Sequence, residues 1–321
     1  MNTTALQLEN GDTLSCTRVH TLVLGSGAAG LNAAVQLRLN GIEDVLIVTE
    51  GLEMGTSINT GSDKQTYYKL SLCGADADAP RLLADTFFAG NSMHGDLALA
   101  EAANSARAFL NLVNLGVPFP RDPYGQFVGY KTDHDPRQRA TSIGPYTSRE
   151  MCRALIREVR RREIPVREGR VAVEMLTVEQ NGSRRAAGIL ALDSGGRFEA
   201  CLADNVVFAV GGPGGLYQTS VYPPVHTGAI GLALMAGARA QSLPESQYGM
   251  ASIRFRSNVS GTYMQVIPAF ISTQADGRSD PREFLRDVYS DPGRQNSMVF
   301  LKGYQWPFDP RKIDGSSLID I

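Results

Sequence analysis

Cysteine is scarce and scattered. The four cysteines stand at positions 16, 73, 152 and 201, with no C-x-x-C pair among them, so neither an iron–sulfur cluster, a zinc site nor a haem attachment is signalled, and no metal is expected. Isolated thiols fit a reducing compartment, and the expected location is cytoplasmic. No run of about eighteen apolar residues occurs, which excludes a transmembrane helix. The first fourteen residues lack the basic start and apolar stretch of a secretory signal. Charge of one sign is not in excess: the formal net charge is −2, so no overall field draws the chain to nucleic acid or anionic lipid. Arginines gather between positions 157 and 170, a pattern read as a solvated helix face and turn. The signatures H-E-x-x-H, G-x-S-x-G and the P-loop are missing. What remains is a globular composition, 43% hydrophobic and 20% charged over 321 residues, long enough for two domains or one domain with an insertion.

The most informative segment lies near the N-terminus. Residues 19–24 read as a buried strand, followed at once by Gly25-Ser26-Gly27-Ala28-Ala29-Gly30. Residues 31–39 are helix-like, Gly41 suits a helix C-cap, and residues 44–48 read as a second buried strand ending at Glu50. Each part has a physical task in binding a dinucleotide. Gly25 permits the tight turn, Gly27 lets the backbone approach a pyrophosphate, and Gly30 lets the helix pack closely on the strands. The helix start offers unpaired N–H groups and partial positive charge to the phosphates, and Glu50 can accept hydrogen bonds from ribose hydroxyls. The pattern alone does not decide between FAD and NAD.

The rest of the chain bears on that choice. Asp96 reads as the N-cap of a helix running toward Leu115, closed by Gly116. Residues 66–140 therefore read as a helical and irregular insertion. Thr147-Ser148-Arg149-Glu150 has the form of a capping box, with Met151, Leu155, Ile156 and Val159 on one apolar face of the helix it opens. Residues 171–176, 188–192 and 197–202 read as three short strands joined by turns at Asn181-Gly182 and Ser194-Gly195-Gly196. Residues 205–210 read as a further strand ending in Gly211 and Gly212. An NAD dehydrogenase would instead continue with regular β-α-β units.

These motifs together resemble the flavoprotein subunit family of succinate dehydrogenase, fumarate reductase and L-aspartate oxidase. The resemblance spans residues 18–247. It rests on Gly25 to Gly30 with Leu31, on Leu115-Gly116-Val117-Pro118-Phe119, and on Val206-Val207-Phe208-Ala209-Val210-Gly211-Gly212. Thr227-Gly228 with Gly231, and Ala236-Gly237-Ala238, complete it. It implies an α/β fold: a glutathione-reductase-type, Rossmann-like FAD-binding domain, with a parallel sheet and a three-stranded β-meander. That domain would comprise residues 15–65 and 141–250, with the insertion at 66–140 and a capping or substrate region beginning at 251–321. The resemblance also implies FAD in extended form. Gly25, Ser26, Gly27, Ala28, Ala29 and Gly30 would hold the pyrophosphate and Glu50 the ribose. Val171 would border the adenine, and Gly211 and Gly212 would line the cofactor. Thr56, Ser57, Thr60, Gly61 and Ser62 match the loop beside the pyrophosphate and isoalloxazine, and Thr227 and Gly228 lie near the flavin.

Departures from the family pattern sharpen the expectations. Members with covalent flavin carry a histidine in the loop just after the serine; here Ile58 stands there, so FAD is expected to be noncovalent. Where dicarboxylate enzymes resemble Gln-Phe-His-Pro-Thr, this chain has Gln247-Tyr248-Gly249-Met250-Ala251, which argues against succinate, fumarate and aspartate as substrates. The family's hydride-transfer arginine and capping domain lie further along than Ile321, so the chain reads as a truncated product or one piece of a split protein, with a second polypeptide completing the fold. His226 is the candidate proton-transfer residue, and Arg254 and Arg256 are candidates for holding an anionic substrate. The leading expectation is an FAD oxidoreductase exchanging hydride or electrons with a small substrate or a partner protein. The alternative is a non-catalytic FAD-binding subunit or fragment that needs another chain.

Overall fold

The structure is a computed structural model. It describes residues 2–59, 65–72, 78–88, 93–132, 135–212, 214–216, 222–226, 228–241, 251–252, 257–258 and 261–304. By contacts the chain divides into two units. The first comprises Met1–Gly61, Leu112–Pro118 and Pro145–Ala240; the second comprises Ser62–Asn111, Phe119–Gly144 and Gln241–Ile321.

In chain order the elements begin with β1 (Asn2–Gln7), β2 (Thr13–Leu24), α1 (Ala28–Leu39), β3 (Val45–Val48), α2 (Thr56–Asn59) and β4 (Tyr67–Tyr68). There follow α3 (Pro80–Phe88), α4 (Gly95–Asn114), β5 (Tyr130–Thr132), β6 (Asp135–Thr141), α5 (Thr147–Arg161) and β7 (Val166–Arg167). The chain continues with β8 (Arg170–Gln180), β9 (Ser183–Asp193), β10 (Phe198–Phe208), α6 (Ile230–Met235), β11 (Ala251–Ser252), β12 (Ser257–Asn258) and α7 (Pro292–Tyr304).

The first unit is built on one sheet in the order β7-β3-β2-β10-β9-β8, with β1 paired to β2. Strands β7, β3, β2 and β10 run parallel, and β8 and β9 continue antiparallel from β10. Parallel strands are buried on both faces and so read as unbroken apolar runs; all four residues of β3 are buried. Leu22, Leu24, Leu46, Val48, Ile189 and Cys201 form the core, with Phe208 and Val210 packed against it. Each fully buried leucine contributes about 1.5–3 kcal/mol relative to exposure. Helix α1 buries Gly30, Leu31, Ala34 and Val35 and contacts α5, whose apolar face is Cys152, Leu155, Ile156 and Val159.

Four local readings of the sequence need correction. The third strand of the meander and the strand ending in glycines are one strand, β10: residues 198–202 pair with β9 while 199–208 pair with β2. Thr147 is not an N-cap; Tyr146 holds that position with no side-chain cap bond, and Glu150 pairs with Arg153 at 3.2 Å instead. Asp96 lies inside the first turn of α4, not before it. The stretch read as helical and irregular also carries an antiparallel sheet, β4-β6-β5.

In the second unit that sheet accompanies an aromatic group: the rings of Phe109 and Phe119 lie 4.6 Å apart and those of Phe109 and Phe127 4.9 Å. Arg139, 2% exposed, is held between two carboxylates, Asp78 at 2.8 Å and Asp135 at 3.3 Å. Leu83, Ala84, Ala98 and Ala102 join α3 to α4. Met264, Leu285, Tyr289, Met298 and Val299 form a separate cluster around α7. No described helix is long and apolar enough to cross a membrane.

Candidate functional site

The parallel register sets the ends of three strands side by side: Leu24 lies opposite both Val48 and Phe208. Ligands of open α/β sheets bind outside these carboxyl ends. A cavity of about 420 Å³ opens there, within the first unit. Its walls are the turn from Gly25 to Ala29, the end of β3 from Val48 to Gly51, Gly55-Thr56-Ser57, Arg170-Val171-Ala172, the end of β10 through Gly211, and Val225-His226 with Ala229-Ile230.

The three glycines of the turn answer to different constraints. Gly25 has φ +101°, and a β-carbon there would lie 2.3 Å from the Ala209 carbonyl oxygen. At Gly30 a β-carbon would lie 2.1 Å from the Gly25 carbonyl oxygen. The fold itself forbids side chains at both. Gly27 is different. Its backbone is extended, at φ −70° and ψ 179°, and the nearest atom to an added β-carbon is the Ser57 hydroxyl at 3.3 Å. At Gly27 the close neighbour of an added β-carbon is a side-chain hydroxyl, which would have to give by only a few tenths of an ångström.

The start of α1 supplies donors. Gly27 is its N-cap without a side-chain bond. The Ala28 N–H donates to Ser57 Oγ at 3.3 Å, while the N–H groups of Ala29 and Gly30 have no acceptor among the described residues. Unpaired first-turn amides and the helix dipole favour an anion. Ser26 works inside the protein: its buried hydroxyl contacts Thr49 Oγ1 at 2.8 Å and donates to the Gly51 carbonyl at 3.0 Å, tying the glycine turn to the end of β3.

Glu50 is half-buried at the cavity wall, and burial raises its carboxyl above the ordinary value. Its side chain has no partner among the described residues, which leaves its oxygens free to accept from a hydroxylated ligand. Arg170, by contrast, is taken up by Glu199 at 2.8 Å. Cys152 lies beside Ser57, and burial pushes its thiol up to about 12.

At another stretch of the wall, His226 Nδ1 and Thr56 Oγ1 are hydrogen-bonded to each other. The His226 ring stacks on Tyr222, with centroids 4.7 Å apart at 18°. Gly211 and Gly214 make room for it: β-carbons there would lie 3.0 and 2.6 Å from imidazole atoms.

The structure thus brings Gly25, Ser26, Gly27, Ala28, Ala29, Glu50, Thr56, Ser57, Val171, Gly211 and His226 to one cavity. Gly30 lies at the helix–strand contact and Gly212 next to His226; neither these two nor Gly228 lines the wall. Thr60, Gly61, Ser62, Thr227, Arg254 and Arg256 lie outside the described residues. Sequence reasoning missed Thr49, Gly51, Arg170, Ala209 and Val225. Each adjoins an assigned residue (Thr49 and Gly51 flank Glu50, Arg170 precedes Val171, Val225 precedes His226, and Ala209 lies two residues before Gly211), but none is of a residue type that marks a cofactor contact.

Comparison with known proteins adds the following. The family described as FAD binding domain matches residues 20–279. An L-aspartate oxidase of Mesorhizobium japonicum is 31% identical over 232 residues, covering 71% of this chain and 43% of that protein. One from Agrobacterium fabrum is 32% identical over 226 residues, covering 70% and 41%. The chain therefore spans less than half the length of the curated relatives it matches. Among solved structures, E. coli quinol fumarate reductase superposes with a TM-score of 0.65 at 17% identity, over 85% of this chain and 45% of that one, a likeness of fold. The sequence argument against succinate, fumarate and aspartate gains no support: the relatives bear the name L-aspartate oxidase. Of the residues that carried it, 247–250 lie outside the described residues, and Ala251 is described only as backbone.

Proposed function

The chain belongs to the FAD binding domain family, and from that premise we propose that it is the FAD-binding part of an oxidoreductase that dehydrogenates a small amino or carboxylic acid. The observation that carries this reading is Gly27, where an added β-carbon would press only on a movable serine hydroxyl, at a helix start with unpaired amides that shares its cavity with an unpartnered Glu50. Those features fit a dinucleotide: the Ala29 and Gly30 N–H groups would donate to the phosphates, the Glu50 carboxylate would accept from ribose hydroxyls, and Val171 would border the adenine. FAD, when bound, would supply a flavin ring able to accept hydride.

The chain's own contribution is to bind, orient and keep water away. Gly211, with φ +81°, and the Thr56–His226 pair close the wall near the flavin position that the family resemblance implies. Attachment is noncovalent: Ile58, 9% exposed on α2, offers only hydrocarbon where covalent members have histidine. Electrons leave to a small acceptor or to a partner protein. The similarity to L-aspartate oxidases makes L-aspartate the first substrate to test.

The test is the visible spectrum of the purified protein before and after denaturation and filtration. A flavin spectrum whose chromophore passes the filter is expected. Colour retained on the protein overturns noncovalent attachment, and a colourless protein that rejects added FAD overturns the whole reading. Reduction of the bound flavin by L-aspartate under anaerobic conditions then tests the substrate.

A further inference from the structure

We propose that Thr56 and His226 form a positioning clamp that fixes the cavity wall against the flavin end of FAD, an inference that rests on the FAD-binding reading. Four observations converge. Thr56 belongs to the segment after β3, whereas His226 lies 170 residues later, beyond β10, and one hydrogen bond joins them. Both residues line the same cavity. The imidazole is held from its faces: Tyr222 stacks on it at 4.7 Å, and the bare α-carbons of Gly211 and Gly214 admit it. A ring confined in this way has little rotamer freedom left, so its Nδ1 fixes the Thr56 hydroxyl at little further entropic cost. Gly211 therefore serves two neighbours, the cavity and the histidine. The sequence reading gave it only the cofactor.

The clamp acts through geometry. His226 Nδ1 and the Thr56 hydroxyl can each donate or accept, so either neutral tautomer of the imidazole keeps the bond. Its function is to hold two segments from opposite ends of the domain at one spacing, so that the wall is formed before FAD arrives.

The experiment measures FAD affinity by quenching of flavin fluorescence on Thr56→Val, Thr56→Ser, His226→Phe and the Thr56→Val/His226→Phe double variant. Thr56→Val removes the hydroxyl at nearly constant shape, and His226→Phe keeps a ring stacked on Tyr222. Each is expected to weaken FAD binding by about 3- to 10-fold, with the double variant no weaker than either single one. Thr56→Ser should bind as the parent does. The visible bands of the bound flavin should shift alike in both single variants, a change that a general loss of stability does not produce.

Losses that multiply in the double variant overturn the clamp, as does a loss confined to Thr56→Val, which would mean direct contact with FAD. Parent-like binding in both single variants overturns it too, and so does failure of Thr56→Ser to restore affinity. If the parent chain takes up no FAD at all, the FAD-binding reading falls and the clamp falls with it. A parent that binds FAD beside unaffected variants removes the clamp alone.

Discussion

Gly27 and Gly30 stand three residues apart in one turn, yet substitution should affect them in opposite ways. Alanine at Gly30 places a β-carbon 2.1 Å from the Gly25 carbonyl oxygen, an overpacking that should destabilise the fold by about 1–3 kcal/mol or more in denaturant unfolding. Alanine at Gly27 meets only a serine hydroxyl that can turn aside. Its stability should change by no more than about 1 kcal/mol, while FAD affinity falls by about tenfold or more, equivalent to about 1.4 kcal/mol. Equal loss of stability in both would show that packing explains Gly27 as well. Glu50 offers a second contrast. Burial raises its carboxyl, so the folded chain holds a proton more tightly than the unfolded one. The ionised form then costs stability, and that cost disappears as pH falls through the folded value. Glu50→Gln should therefore raise the thermal midpoint of FAD-free protein at pH 7, with the difference gone below about pH 4, and should weaken FAD binding. Of the site, the glycine turn and Glu50 were legible in the sequence because strand, turn, helix and acid follow one another within thirty residues. Arg170 and Ala209 were not, although they adjoin Val171 and the Gly211 segment, because neither residue type marks a cofactor contact.

At the scale of elements, what the sequence disclosed depended on burial. The β2–α1–β3 unit was readable because its strands are apolar runs and its helix begins in glycines. Strand β1 was not, since all six of its residues are exposed and no alternation marks it. Strand β10 was divided in two by reading, with Ala203-Asp204 left between strands at 197–202 and 205–210. The structure carries the strand through, with Asp204 accepting a bond from Arg18 at 2.9 Å on the exposed side. On α5, the hydrogen bond from Arg161, assisted by Arg162, lowers Glu158 to about 2. A depressed carboxyl contributes stability above its unfolded value, here 4.5, and loses it as pH falls toward about 2. Glu158→Gln should flatten acid unfolding across that window, as followed by circular dichroism; an unchanged acid limb would mean that the ion pairs contribute nothing. On β6, Arg139→Met removes the shared cation of the buried Asp78 and Asp135, leaving Asp78 only Arg137 at 3.9 Å. It should cost about 3–5 kcal/mol in denaturant unfolding, and a smaller change would mean that the carboxylates find water or other donors.

For the whole molecule, the two contact units gather residues from non-adjacent parts of the chain, and every described wall of the cavity belongs to the first. FAD at one hundred times its dissociation constant should stabilise that unit by about 2.7 kcal/mol. In hydrogen-exchange mass spectrometry the slowing should centre on residues 24–30, 48–57 and 208–212. Protection concentrated elsewhere would move the binding site.

The pairing of β10 with β2 has a consequence for how the chain is made. Leu24 meets Phe208 across the centre of the sheet, so one edge of β2 waits for a strand that the ribosome has yet to deliver. At about 5–20 residues per second that delay is on the order of 10–40 s. Throughout it, an apolar strand with free backbone groups is open to pairing with a neighbouring nascent chain. The edge closes only once translation has passed β10, so the sheet is completed late in synthesis of the first unit.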